Sequence, residues 1–154
     1  MKQVKPFLVA VALTVTASAF AQQAPKPETV IKWRQSVYQV LAWNSSRIKA
    51  NVEGQFNREE VIRAANSTAA IANSGLGALY APGSEQGKGW HDTSAKPEIF
   101  KDGKKVGDLA GSFVREANEL AKIAANGDQA AVKAQFGKLG QSCKACHDDY
   151  KIKD

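Results

Sequence analysis

The sequence predicts an all-α protein, specifically an antiparallel up-down-up-down four-helix bundle. Apolar residues recur at alternating steps of three and four in four separate stretches, which is the pattern of one face of a helix. Such alternating steps also form the heptad seam by which antiparallel helices pack in a bundle. No stretch sustains the period of two that a half-buried strand requires, so no sheet is predicted.

The first predicted helix runs from about Glu28 to Val52. Pro25 and Pro27 precede or open it, and proline suits an entry segment or a first helical turn. Its inner face is predicted from the three- and four-residue spacing of Val30, Trp33, Arg34, Val37, Tyr38, Leu41, Ser45, Ile48 and Val52.

The second predicted helix runs from about Arg58 to Leu79. Asn57 followed by Glu60 resembles a capping box. The inner face is rich in alanine, which lets a neighbouring helix or a flat ligand approach closely; it comprises Val61, Ala65, Thr68, Ala72 and Leu76. Residues 80–96 contain two glycines and a Pro-Gly pair and are interpreted as a loop. A loop of this length in a bundle often covers a site.

Two more helices complete the bundle. Helical sequence restarts at Pro97, is regular from Val106 to Ala124 and stops at Asn126-Gly127. Asp128 is a good N-cap for the last helix. The inner face of that helix is predicted to comprise Val132, Phe136, Leu139, Cys143, Cys146 and Tyr150.

The N-terminus has the three parts of a secretory signal. Lys2 and Lys5 form a basic start, an apolar run covers 7–19, and Ala19-Phe20-Ala21 supplies small residues for cleavage. The run is too short to span a bilayer. We therefore predict that residues 1–21 are removed, that residues 22–154 form one domain, and that the mature protein is periplasmic.

The charge argues against nucleic acid as a partner. The formal net charge is +6, and removal of the two signal lysines lowers it to +4. The basic residues are scattered and form no cluster interleaved with aromatic residues. No second apolar stretch approaches the length of a membrane span. A mildly positive surface favours acidic protein partners only weakly.

Cys143-Lys144-Ala145-Cys146-His147 is the spacing of c-type haem attachment. Two thiols add to the two vinyl groups on one edge of a planar macrocycle, and an imidazole then reaches the iron from one face. Positions i, i+3 and i+4 lie on one side of a helix. Since both cysteines continue the apolar seam, the haem is predicted to lie inside the bundle.

Three other interpretations of the cysteines are a disulfide, a redox pair and a zinc site. Thiols at i and i+3 of a regular helix are poorly placed for a disulfide. A thioredoxin-like pair normally lies at a helix start beside a βαβ pattern, which is missing from this sequence. A closed zinc site needs four ligands, and the mature sequence offers two cysteines and two histidines.

The second axial ligand is predicted to be missing. The only methionine is Met1, which leaves with the signal peptide, so a thioether ligand is excluded for the mature chain. His91 lies in the glycine-containing loop, where a solvent-facing histidine is the simpler interpretation. A lysine ligand would have to be neutralised and buried. These observations favour a five-coordinate, high-spin iron ligated by His147.

Four segments of the sequence resemble the cytochromes c′, the class II c-type cytochromes. They are residues 31–36, 81–84, 96–100 and 142–150. The resemblance implies a four-helix bundle with one haem c. It places Arg34 and Gln35 against the haem edge, with Arg34 as a partner for a propionate. It also places Ser94 in contact with the haem.

The resemblance further implies that Tyr38 lies on the distal side of the haem. There it would guard the iron sterically with a hydrogen bond to bound gas, ligate the iron as phenolate, or fill the core. Lys151, one turn beyond His147, is either near the proximal side or a solvated lysine at the helix end. Relatives in the family often form dimers through the first two helices, so a homodimer is expected.

Two functions follow from the resemblance, and the sequence does not choose between them. One is single-electron transfer with small redox proteins of the periplasm; the other is binding of NO or CO at the open face of the iron. A dedicated NO scavenger or sensor without an electron-carrier role is the alternative. A peroxidase would need a distal histidine or arginine as acid or base, so enzymatic activity is not expected.

Overall fold

The computed structural model describes residues 24–153, and the predicted cleavage site after Ala21 lies outside this range. Four helices form: α1 (Pro27–Glu53), α2 (Arg58–Ala72), α3 (Gly103–Asn126) and α4 (Gln129–Tyr150). Two 3-10 turns, Leu76–Leu79 and Pro97–Phe100, lie between α2 and α3. Within the described range there is no strand, only two isolated β-bridges. The predicted all-α four-helix fold is confirmed.

No helix among residues 24–153 combines the length and the apolar character needed to cross a membrane.

Two of the four helices, α2 and α4, begin at the side-chain caps that the sequence predicted. The Asn57 side chain accepts a hydrogen bond from the Glu60 N–H at 3.1 Å, and the Asp128 carboxylate accepts one from the Ala131 N–H at 2.8 Å. Each cap satisfies a backbone donor that the first helical turn leaves unpaired. The Glu60 carboxylate, however, accepts hydrogen bonds from Arg47 and Asn51 of α1, so it joins α1 to α2.

The prediction that α2 continues to Leu79 was wrong. The helix ends at Ala72, and the side-chain amide of Asn73 donates to the Ala69 carbonyl oxygen at 2.7 Å. Gly75 then takes a left-handed conformation with φ of 82°, which glycine adopts without steric cost. The apolar residues that follow, Leu76–Leu79, form a 3-10 turn. Their spacing matches that of an α-helical turn, which is why the sequence predicted a longer helix.

The buried apolar cluster occupies one half of the bundle, which we call the closed half. It combines the second half of α1, α2, the second half of α3 and the first half of α4; its members are Ile48, Val52, Val61, Ala64, Ala65, Ala72, Ala117, Leu120, Ala124, Val132 and Leu139. Alanine on α2 and α3 lets these helices approach closely, as the sequence indicated.

The other end of the bundle is less tightly packed on one side, and we call it the open end. It comprises the first half of α1, the first half of α3, the last two turns of α4 and the connection 73–102. Val30 and Ile31 of α1 are buried there, but α3 has no buried residue before Ala117. The open end therefore contains a wall of half-exposed side chains.

Two details of the predicted inner faces need correction. Trp33 on α1 is 50% exposed, so it faces outwards, and Ile31 and Asn44 are buried in the inner face instead. On α4 the buried positions include Gln135 and Ser142. The observed inner faces of α1 and α4 are therefore rotated slightly from the predicted ones. A straight helix has 3.6 residues per turn, so its buried face drifts away from a strict heptad pattern.

Candidate functional site

The two cysteines and the histidine of the motif share one side of α4 at the open end. Cys143 and Cys146 are half-exposed free thiols. His147 follows at the fourth position after Cys143, and its backbone carbonyl accepts from the Lys151 N–H at 3.1 Å, which ends the helix. The predicted placement of the three groups on one helical face is therefore present.

The protonation states of these groups suit haem attachment. Burial raises the pKa of both thiols, so each stays in the S–H form that adds to a vinyl group. Desolvation, with a smaller contribution from the charge of Lys151, lowers the pKa of His147. A neutral imidazole keeps a lone pair for a metal ion.

The helix opposite the motif supplies an apolar wall. α3 and α4 run antiparallel, with Lys105 paired to Asp149 at 3.0 Å and the Tyr150 hydroxyl donating to Asp102 at 3.0 Å. This register places the first half of α3 beside the last turns of α4, which carry the two cysteines. The half-buried apolar residues there are Val106 and Leu109, while Phe113, one turn further along, packs against the buried cluster. Two thiols, an imidazole and an apolar wall fit a flat hydrophobic group held at its edge.

Tyr38 lies on α1 on the side that faces the motif. Burial raises the pKa of its phenol, and the neighbouring Cys146 and Cys143 make smaller contributions in the same direction. The side chain is 38% exposed, and its hydroxyl is 3.0 Å from the hydroxyl of Tyr80. Tyr38 is therefore brought to the site that the sequence predicted, with a tyrosine partner that the sequence did not reveal.

Arg34 is buried and attaches α1 to the connection between α2 and α3. Its side chain is 4% exposed. One terminal nitrogen donates to the Leu79 carbonyl at 2.8 Å and to the Ser84 hydroxyl at 3.1 Å. The other donates to the Ser84 carbonyl at 3.0 Å and to the Thr93 hydroxyl at 2.9 Å. Of the five N–H donors of the guanidinium, four are thus engaged by the chain.

Gln35 holds the next part of the same connection. Its amide oxygen accepts from the Trp90 N–H at 2.7 Å, and its amide nitrogen donates to the His91 carbonyl at 2.9 Å. The indole N–H of Trp90 donates to the Ser36 hydroxyl at 2.9 Å. Gly89 is needed for this close approach, because a Cβ atom there would lie 2.8 Å from the Lys32 backbone nitrogen.

Ser94 lies where the connection meets the end of α4. Its carbonyl oxygen accepts from the Ile152 N–H at 2.8 Å, and the Lys96 N–H donates to the Tyr150 carbonyl at 2.9 Å. Ala95 forms a β-bridge with Lys151. The connection is thus fixed to α1 on one side and to the segment after His147 on the other.

The remaining candidate ligand groups do not form a second site. His91 is exposed, with its Nδ1 2.8 Å from the Asp92 carbonyl oxygen. Across residues 24–153, no group of three or more His, Cys, Asp or Glu side chains could hold a bare metal ion. Cys143 and Cys146 are free cysteines.

Sequence reasoning missed three residues of this region. Ser84 is completely buried as the partner of Arg34, Thr93 shares that role, and Tyr80 contacts Tyr38. Each bond joins positions at least 42 residues apart. No periodic pattern links such positions, although the Pro-Gly turn before Ser84 indicated an ordered bend.

The bundle and its motif define a class of protein: a helical bundle with a c-type haem attachment motif at one end. Comparison with known proteins agrees with this class. The family model described as Cytochrome C′ matches residues 29–151, and the chain belongs to the cytochrome c′ family. Membership implies a c-type haem, for which the two cysteines are present.

Individual relatives support the same assignment. A cytochrome c′ of Rhodocyclus tenuis is 65% identical over 130 residues, which cover 84% of this chain and 98% of the relative. A solved cytochrome c′ with an unusual ligand-controlled dimer dissociation is 47% identical with a TM-score of 0.82, and the match covers 85% of this chain and all of that one.

A third relative has a gas bound. It is a ferrous variant of the cytochrome c′ of Alcaligenes xylosoxidans with bound NO; it is 30% identical, with a TM-score of 0.75, and the match covers 86% of this chain and all of that one.

Proposed function

We propose that the protein is an exported, periplasmic cytochrome with one haem c, attached through Cys143 and Cys146 and ligated by His147. A haem iron with one imidazole ligand is high-spin, exchanges single electrons and binds NO or CO. The observation that carries the proposal is the shared face of the three motif residues on α4, opposite a half-exposed apolar wall and Tyr38.

The residues around the motif have separable roles in this proposal. Tyr38 guards the face opposite His147, and its protonated hydroxyl is a donor for a bound gas. Arg34 mainly secures the connection over the open end, and its Nε proton is the one left for a propionate. Gln35 and Ser94 keep the connection against α1 and α4.

The proposal is of a carrier or gas-binding protein, not an enzyme. The distal candidate Tyr38 has its pKa raised, chiefly by burial, so it does not exchange protons readily near neutral pH. His91 hydrogen-bonds on the outer side of α1 with Gln35. Neither is a poised acid or base of the kind that peroxidase chemistry requires.

A homodimer through α1 is part of the proposal. Trp33, Val40 and Trp43 lie on one exposed face of α1, and they are 50%, 43% and 59% exposed. Several large apolar side chains exposed on one face of a helix are typical of a protein interface. The relative with ligand-controlled dimer dissociation supports dimerisation in this family, and the relative with bound NO supports gas binding.

Mass spectrometry and optical spectroscopy of the protein purified after export test the proposal. The wild-type chain should begin at Gln22 and carry the mass of one haem, whereas the C143S/C146S variant should carry no covalent haem. His91→Ala is the matched control and should leave attachment and spectrum unchanged. The reduced wild-type protein should bind CO and NO. A mature chain without attached haem, or with haem that binds neither gas, contradicts the proposal.

A further inference from the structure

Tyr38 has a defined partner in Tyr80. The two hydroxyl oxygens are 3.0 Å apart, and the two residues are 42 positions apart in sequence. Tyr38 lies in the middle of α1, while Tyr80 follows the 3-10 turn Leu76–Leu79 directly. The bond therefore joins the helix that faces the haem motif to the connection over the open end.

The two tyrosines are held to very different extents. The Tyr80 ring lies beneath the Arg34 guanidinium, 4.9 Å from the ring centroid. It also meets the Phe100 ring edge-on, with centroids 5.8 Å apart. Arg34 in turn is bonded to the carbonyl of Leu79, the preceding residue. Tyr38 is 38% exposed, and its hydroxyl is hydrogen-bonded to that of Tyr80.

The surroundings favour Tyr80 as the donor of this hydrogen bond. A cation over an aromatic ring draws electron density from it, which makes the Tyr80 hydroxyl a better donor. Burial raises the pKa of both phenols, so both hydroxyl protons are present at neutral pH. The Tyr38 oxygen then accepts the hydrogen bond from Tyr80, and the Tyr38 hydroxyl proton remains available for another acceptor.

We propose that Tyr80 is a positioning residue that fixes the hydroxyl of Tyr38 and thereby sets how fast a diatomic gas reaches the haem site. The proposal rests on the proposed function, because it takes the haem to lie between His147 and Tyr38. Without the bond, Tyr38 is free to rotate about its side chain, and the guarded face opens more often.

The rate of CO association with the reduced holoprotein tests this role. Tyr80→Phe keeps the ring contacts with Arg34 and Phe100 but removes the hydroxyl. One hydrogen bond corresponds to a factor of about three to ten in an equilibrium, so we expect the association rate to rise by about that factor. Combined with Tyr38→Phe, which lacks the acceptor, Tyr80→Phe should have no further effect.

Gln129→Ala is the control. It removes side-chain hydrogen bonds at the opposite end of the bundle, to the carbonyl oxygens of Asn51, Val52 and Gly54, and should leave the CO rate unchanged. An unchanged rate in Tyr80→Phe, an equal effect of Tyr80→Phe in both Tyr38 backgrounds, or an equal effect of Gln129→Ala would overturn the proposal.

A second readout does not depend on gas binding. In thermal unfolding of the holoprotein, the two single Phe variants and the double variant should lose stability to a similar extent, because all three lack the same bond. Additive losses would overturn the positioning role. If the wild-type protein bound no CO, the proposed function would fail, whereas the unfolding cycle would still decide whether Tyr80 holds Tyr38.

Discussion

The closed half and the open end of this bundle are built from the same four helices but are packed in opposite ways. In the closed half, aliphatic side chains and alanines of all four helices bury one another. At the open end, α1 is covered by the connection 73–102, whereas the first half of α3 presents only half-exposed apolar residues. The contrast separates the part that holds the bundle together from the part where we propose that the haem binds.

α3 shows the contrast within a single helix. Leu120 is fully buried, whereas Leu109, three turns earlier on the same side, is half-buried. Both continue one apolar pattern, so their sequence environments are similar. What differs is the opposite helix: α4 presents aliphatic side chains to the first and the cysteines of the haem motif to the second. One amphipathic helix thus produces both a well-packed core and the wall of the proposed haem site.

The largest expected effect is the loss of a core leucine. Leu120→Ala should lower the free energy of unfolding by about 2–5 kcal/mol, since it leaves a cavity in a buried site. Leu109→Ala should cost less stability but shift the haem absorption spectrum or the CO association rate, which Leu120→Ala should leave unchanged. Denaturant unfolding and optical spectra of both variants measure this. An equal loss of stability with unaltered spectra would remove the distinction between the two regions.

A smaller loss of stability is expected when Arg34 is replaced by a residue that can make fewer hydrogen bonds. Arg34→Lys keeps the charge but cannot reach the Leu79, Ser84 and Thr93 acceptors together. We expect a loss of about 1–3 kcal/mol and faster amide hydrogen exchange in residues 79–93. The closed half should exchange as in the wild type. Uniformly faster exchange throughout the bundle would show that Arg34 supports the whole fold and not the connection.

The smallest effect comes from adding one methyl group. Gly89→Ala should destabilise the protein by about 1–2 kcal/mol, because the new Cβ would press on the Lys32 backbone and separate the connection from α1. Gly137→Ala is the control; nothing lies within 4 Å of its new Cβ. Since alanine suits a helix interior better than glycine, it should stabilise by about 0.5–1 kcal/mol. Thermal unfolding compares the two, and equal shifts would contradict the close approach at Gly89.

The sequence predicted the local features of this protein well. The caps at Asn57 and Asp128, the stop at Asn126-Gly127 and the shared face of Cys143, Cys146 and His147 all depend on residues within one or two turns of each other. Such features follow from helical periodicity and hydrogen bonding to neighbouring backbone groups.

Long-range features could not be predicted in this way. The Tyr38–Tyr80 bond and the contacts of Arg34 with Ser84 and Thr93 depend on how the connection folds back over α1. The helix α2 ends earlier than predicted because Gly75 takes a left-handed conformation, although the apolar spacing beyond it favours a longer helix. Pairings of this kind are decided by tertiary packing.

The spin and coordination state of the haem is the most direct test of the central claim. Optical absorption and electron paramagnetic resonance of the purified wild-type protein should show a high-spin, five-coordinate iron with His147 as its axial ligand. The reduced form should likewise have one axial ligand. A low-spin spectrum with two axial ligands in both oxidation states would contradict the claim that the face guarded by Tyr38 is open to a gas.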